Sequence, residues 1–268
     1  MLCSLVMKIF LCLALALSFL LFPSVMHAFD TLGLQPVSPY GIFSVMSADT
    51  LPRKKLAMEV GGERVKNPEF YRFALKGAYG LTDSAELDFT APFVYRYANN
   101  RDGFEDFSFG LRHRFYDEGT YGPSLAYLLT ASLSNGRDEF STNGRLGAGL
   151  IASKRIGPFK GHINAIFQKP GASSLKNEIT FSGGIDFSAA NNFNILGEVI
   201  VKKDHTTQRY NDVETRLGYR IKTLDFMYTT VGVGANFRDR TPAYHIMISV
   251  SLTSPHQKKE IKKIYEEE

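Results

Sequence analysis

Between Lys55 and Thr253 the chain shows no helical period. Apolar residues fall instead at every second position, in segments of about 10 residues separated by Gly, Asn, Asp and Pro clusters, which is the pattern of strands. Twelve such segments can be marked, at 55–64, 70–81, 84–97, 105–116, 123–134, 144–155, 159–168, 177–187, 192–203, 211–222, 224–235 and 243–253. Successive side chains of a strand point to opposite faces, so the alternation assigns each residue a side. In 211–222, Val213, Thr215, Leu217, Tyr219 and Ile221 share one face, and Glu214, Arg216, Gly218, Arg220 and Lys222 share the other. In 105–116, Phe107, Phe109, Leu111 and Phe115 oppose Ser108, Gly110, Arg112 and Arg114. The segments 144–155 and 224–235 alternate less cleanly, which marks them for a bulge or a register irregularity.

A soluble β-sandwich would alternate too. Two features favour a membrane barrel. Apolar faces often end in Tyr or Phe, as at Phe93, Tyr95 and Tyr97, which suits aromatic girdles at the bilayer interfaces. Long connections (65–69, 98–104, 135–143, 169–176, 204–210, 236–242) also alternate with short ones (82–83, 117–122, 156–158, 188–191, 223), as they do when one rim faces outward and the other the periplasm. The expected fold is all-β, a single antiparallel transmembrane β-barrel of 12 strands. An even strand number puts the N- and C-termini on the periplasmic side.

Such a barrel needs an export signal. Lys8 precedes an apolar run, Ile9 to Phe22, followed by Pro23-Ser24-Val25-Met26-His27-Ala28. This is the layout of a secretory signal peptide cleaved after Ala28, the alternative being an uncleaved anchor helix. Both cysteines, Cys3 and Cys12, lie within it, so the mature chain has no disulfide to stabilise it. A closed sheet compensates by pairing every backbone group. The expected organisation is 1–28 signal peptide, 29–54 N-terminal segment, 55–253 barrel and 254–268 charged periplasmic tail. The 29–54 segment, with Pro36, Pro39, Gly41 and Pro52, either folds back as a plug or remains a loosely ordered periplasmic extension.

Composition narrows the functional classes. Beyond residue 28 no apolar run approaches the roughly 18 to 20 residues a spanning helix needs, which excludes a polytopic helical membrane protein. The 31 basic and 27 acidic residues are spread along the chain rather than gathered in a stripe, so a nucleic-acid partner gains no support. Outer-membrane lipids, the barrel-assembly machinery, periplasmic chaperones during biogenesis and a small-molecule solute are the expected partners.

If the apolar faces meet lipid, the opposite positions meet a lumen. By parity the lumen-lining candidates are Arg72, Lys76, Glu86, Asp88, Arg96, Arg112, Arg114, His162, Glu198, Glu214, Arg216 and Arg220. Mixed signs allow cross-strand pairing in a solvated interior, or a narrow polar conduit whose selectivity they tune. A passive channel for small molecules is the leading expectation, with a structural or adhesive barrel of closed lumen as the alternative. A lipid-active enzyme is the third. No catalytic, cofactor-binding or metal residues are expected, because there is no His-Glu-x-x-His and no paired cysteine ligand. His113-Arg114-Phe115, His162-Ile163-Asn164 and His205-Thr206-Thr207 also lack the serine two residues on that a barrel hydrolase would use.

The stretch Tyr79-Gly80-Leu81-Thr82-Asp83-Ser84-Ala85-Glu86-Leu87, then Ala91-Pro92-Phe93-Val94-Tyr95, then Gly103-Phe104-Glu105-Asp106-Phe107 and Gly110-Leu111-Arg112-His113-Arg114-Phe115, resembles the MetA-pathway of phenol degradation group of outer-membrane proteins. Ser153-Lys154-Arg155-Ile156-Gly157 is similar too. The resemblance implies an outer-membrane transporter barrel taking up hydrophobic or aromatic compounds. It supplies no catalytic or ligand residues. The charged tail departs from barrels of this kind, which usually finish on an aromatic residue of the last strand.

Overall fold

The computed structural model describes residues 29, 31–98, 100–203, 210, 212–237 and 242–254. The expected signal peptide and all but the first residue of the tail lie outside the described residues. Thirteen strand segments follow one another: β1 (Leu56–Lys66), β2 (Phe70–Gly80), β3 (Ala85–Tyr97), β4 (Arg101–Phe104), β5 (Ser108–Tyr116), β6 (Ser124–Ser132), β7 (Arg145–Ile156), β8 (Phe159–Pro170), β9 (Glu178–Ala190), β10 (Phe193–Lys203), β11 (Asp212–Leu224), β12 (Met227–Asn236) and β13 (Ala243–Thr253). Each pairs antiparallel with its sequence neighbours, except that β4 and β5 do not pair with each other, and β1 closes on β13 from Ala57–Thr253 to Lys66–Tyr244. β4 and β5 are two pieces of one barrel strand, since both pair with β3, β5 along its first half and β4 along its second. The sheet is therefore a closed barrel of 12 strands.

Parity sorts the faces as expected. Val60, Leu150, Ile163, Leu217 and Ile246 stand exposed on the outer wall, while Glu59, Arg112, Glu198 and Arg216 are buried on the inner one. Of the two expected irregularities, the one in 144–155 is absent and the one in 224–235 falls at its first residue. β7 keeps register with both neighbours, its weak alternation reflecting Gly147 and Gly149. Near β12 the irregularity sits in the turn, where Lys222 and Leu224 are offset against Tyr228 and Met227. Another offset lies between Val94 and Tyr97, where Arg96 adopts a left-handed φ of 60°. Long and short connections alternate with three exceptions: 67–69 and 98–100 are tight on the long-loop rim, and 117–123 is extended on the short-turn rim.

β1 begins and β13 ends at the short-turn rim, as an even strand number requires. The N-terminal segment does not stay there. Residues 31–54 run through the lumen, so that Phe29 lies at the opposite, long-loop rim, where its ring meets Phe70, Tyr97 and Phe140 at centroid distances of 5.4, 4.9 and 4.8 Å. At the near end, the Lys54 N–H donates to the Gly80 carbonyl at 2.8 Å and Leu51 packs on Ala57 and Ala78. Residues 31–54 thus lie inside the barrel rather than extending from the short-turn rim.

The barrel interior is the core. Leu34, Met46 and Ala48 of the plug pack on Ala126, Leu128 and Ile151, and Ile42 and Phe43 pack on Leu196. Inner-wall glycines provide the sockets: a Cβ at Gly110 would strike Leu34, one at Gly184 would strike Ile42, and one at Gly232 would strike Phe43. These side chains sit where any other residue would leave no room.

Candidate functional site

The site is the interface between plug and inner wall. A segment without regular structure leaves its N–H and C=O groups unpaired, and burying them is tolerable only if something else bonds them. Inner-wall side chains do so in sequence along the plug. Glu105 accepts the Leu32 N–H at 2.6 Å, Thr90 the Gln35 N–H at 3.0 Å and Glu59 the Ser38 N–H at 2.8 Å. Arg220 donates to the Gly41 carbonyl at 2.5 Å. One oxygen of Glu198 accepts three consecutive N–H groups, from Phe43, Ser44 and Val45, at 3.2, 3.0 and 3.1 Å. Asn164 grips Met46 at both backbone groups, accepting at 2.7 Å and donating at 2.9 Å, as a neighbouring strand would. Ser153 accepts the Ala48 N–H at 2.8 Å, Arg112 donates to the Ser47 carbonyl at 2.6 Å, and Glu86 accepts the Leu51 N–H.

The charges are balanced behind these contacts. Arg112 pairs with Glu86 and, at 3.5 Å, with Asp88. Arg216 pairs with Glu214 at 2.5 Å and Glu198 at 3.4 Å and reaches the Ser44 hydroxyl. Arg72 pairs with Glu105 at 2.7 Å and Glu63 at 3.4 Å, Arg220 with Asp186 at 3.2 Å, and Lys76 with Glu59 at 3.0 Å. Buried ions need this arrangement, because an unpaired one would cost several kcal/mol of desolvation. One ion pair involves the plug's own charge, Asp49 with Lys160. Burial pushes the Asp49 carboxyl up, but the Lys160 ammonium beside it more than offsets that and holds it below the usual range.

Nine of the twelve expected lumen residues form one connected inner surface: Arg72, Lys76, Glu86, Asp88, Arg112, Glu198, Glu214, Arg216 and Arg220. His162 joins through Ser153, its Nδ1 lying 2.8 Å from the hydroxyl. Arg114 stays at the short-turn rim, bonded to Asp117 and the Asp83 carbonyl. Arg96 is a correction: the offset at its left-handed φ reverses the parity, so Arg96 is exposed with its guanidinium 5.3 Å from the Tyr95 ring. Tyr97, expected in the lipid girdle, instead turns into the rim cluster around Phe29.

Sequence reasoning missed the neutral clamps Thr90, Ser153 and Asn164, and the acids at the break between β4 and β5. There Asp106 accepts from Gly136, Ser141, Thr142 and Gly144 and so pins the loop that carries Phe140 into the cluster. The usable signal was inward parity itself, applied to Asn and Ser as well as to charge. Among the described residues no group of three or more His, Cys, Asp or Glu is disposed to hold a metal ion.

No family model and no curated protein matches the chain. Solved structures do. The KdgM porin in complex with disordered oligogalacturonate superposes with a TM-score of 0.57 at 12% identity, covering 73% of this chain and 98% of that one. The NanC porin gives 0.59 at 11%, with the same coverages. An outer-membrane channel from Pseudomonas putida F1 gives 0.56 at 11%, covering 77% and 98%. The fold is one shared with outer-membrane porins. At these identities the likeness concerns the barrel and not its cargo.

Proposed function

We propose that this protein is an outer-membrane channel for small molecules whose N-terminal segment occupies the lumen and leaves it to open the pathway. The observation that carries the reading is the nature of the plug's hold. A barrel meant to be solid can fill itself with apolar side chains. Here much of the plug's grip is polar, from charged and amide side chains to plug backbone. Once the plug moves out, water can solvate the same groups, and their paired charges line a polar conduit. The solute class implied by the resemblance to the phenol-degradation group, hydrophobic or aromatic compounds, is the one we assign to the pathway. Lipids of the outer membrane and the machinery that assembles its barrels are the partners this reading requires.

A catalytic role is disfavoured by the one serine–histidine contact that the lumen offers among the described residues. Ser153 and His162 are within hydrogen-bond reach, but the Ser153 hydroxyl already accepts the Ala48 N–H and both side chains are buried. The rival that keeps a specific observation is a structural barrel with a permanently seated plug, since every clamp is in place.

Planar-bilayer recording separates the two. The channel reading expects brief openings from the intact mature protein and a sustained conductance when residues 29–54 are removed. Silence from both, with the barrel shown to be folded by its altered gel migration before boiling, would establish the structural barrel instead.

A further inference from the structure

Three buried polar atoms that lack a hydrogen-bond partner line one cavity between plug and wall: the Thr31 hydroxyl, Arg145 Nη2 and His245 Nε2. The cavity measures about 110 Å³ and lies toward the long-loop rim. The three residues are only 5, 6 and 9% exposed, so bulk water does not satisfy them. Leaving such groups unbonded is costly, and more so for a guanidinium. Arg145 spends one N–H on Gln168 at 3.2 Å and has no carboxylate partner among the described residues. Gly33 lies against its guanidinium, where a Cβ would come within 2.9 Å of Nη2, so the plug leaves this cation space rather than covering it with a side chain.

From this geometry we infer a binding subsite for a small organic carboxylate that also carries a hydroxyl. The carboxylate takes the free Arg145 N–H. His245 gives the second specification: its Nδ1 lies 2.6 Å from a Glu63 oxygen, which can only accept, so Nδ1 carries a proton there and Nε2 is left facing the cavity without a partner. A ligand hydroxyl, which can both donate and accept, is the group that meets Nε2 in either role. Thr31, on the plug, completes the set, so the ligand bridges plug and wall. Of the cavity's cationic lining, Arg72 and Arg216 are already paired, with Glu105 and Glu63 and with Glu214 and Glu198, whereas Arg145 is held by the neutral Gln168. Room for a few waters is room for a three-carbon acid.

The probes are lactate and propionate, which differ by the hydroxyl, applied to purified mature protein in detergent and followed by ligand-detected NMR. Conductance plays no part, so failure here is distinguishable from failure of the channel reading. The expected result is saturable lactate binding, about tenfold weaker propionate binding, and about tenfold weaker lactate binding in Arg145→Gln. Should Arg145→Gln not fold, judged by gel migration, Thr31→Val serves, with lactate weakened and propionate unchanged. Absence of saturable lactate binding would mean that water alone fills the cavity, and equal affinity for the two acids would remove the hydroxyl assignment. Either result, or lactate binding undiminished in the folded variants, overturns the proposal.

Discussion

Leu217 on β11 is 65% exposed, and its neighbour Arg216 is 8% exposed with two carboxylates and a plug hydroxyl around it. One position along the chain changes the rules of stabilisation. The outer wall asks only that a residue be apolar at its depth, so Leu, Ile, Val and Phe are interchangeable there to first order. The inner wall asks for a particular partner at a particular distance, and Glu198, Asn164 and Arg112 have no general substitutes. The barrel is thus held by a non-specific medium outside and by a specific segment of its own chain inside, and the two can be broken separately.

The largest effect is expected outside. Leu217→Arg places a guanidinium in the lipid region of β11 and should destabilise the barrel by about 2–4 kcal/mol in urea unfolding from lipid vesicles, with the plug still seated in the folded fraction. Inside, Glu198→Ala removes the acceptor of three buried N–H groups. It should loosen the plug by about 1–3 kcal/mol, seen as faster protease cleavage within 41–48, while barrel unfolding barely changes. If both variants lowered barrel stability equally, the separation of the two walls would be lost.

Acid offers a finer test. The folded-state pKa of Asp49 is depressed, so its contribution is fully present above the ordinary aspartate value and is lost as pH falls through the lowered one. Plug protection should stay level from neutral pH through the mildly acidic range and decline only below the usual carboxylate range, with Lys160→Gln abolishing the part that Asp49 supplies. The smallest effect belongs to Arg96→Gln. An exposed side chain outside the lumen should leave stability within about 0.5 kcal/mol and conductance unchanged, whereas a lumen residue would alter conductance.

The same contrast explains what the sequence disclosed. The strands were legible because lipid on one side and a polar lumen on the other impose a period of two, and most of the charged inner residues follow by parity. Arg96 escaped because parity counts residues and a single left-handed backbone turn resets the count. Asn164 and Ser153 escaped because amide and hydroxyl groups on an inner face suit water as well as a plug. Residues 29–54 carry no period at all. Their short apolar run Ile42-Phe43 fits sockets whose shape comes from Gly184 and Gly232 on strands more than 100 residues away. Depth and pairing distance leave no local trace.

The threading of the plug also bears on the order in which the molecule can be made. Phe29 is locked under the Phe140 loop at one rim while Lys54 is tied to Gly80 at the other, so a finished barrel would have to pass an aromatic-tipped irregular segment through its whole bore to acquire it. Building around it is far simpler. β1 to β5 already supply Glu59, Thr90, Glu105 and Arg112, enough to lay the segment down as soon as the first third of the barrel's strands is in place. Each later strand then arrives at a surface prepared to receive it, and the joining of β1 to β13, the most distant pairing in the chain, comes last. The N-terminal segment is then a mandrel on which the cylinder is wound.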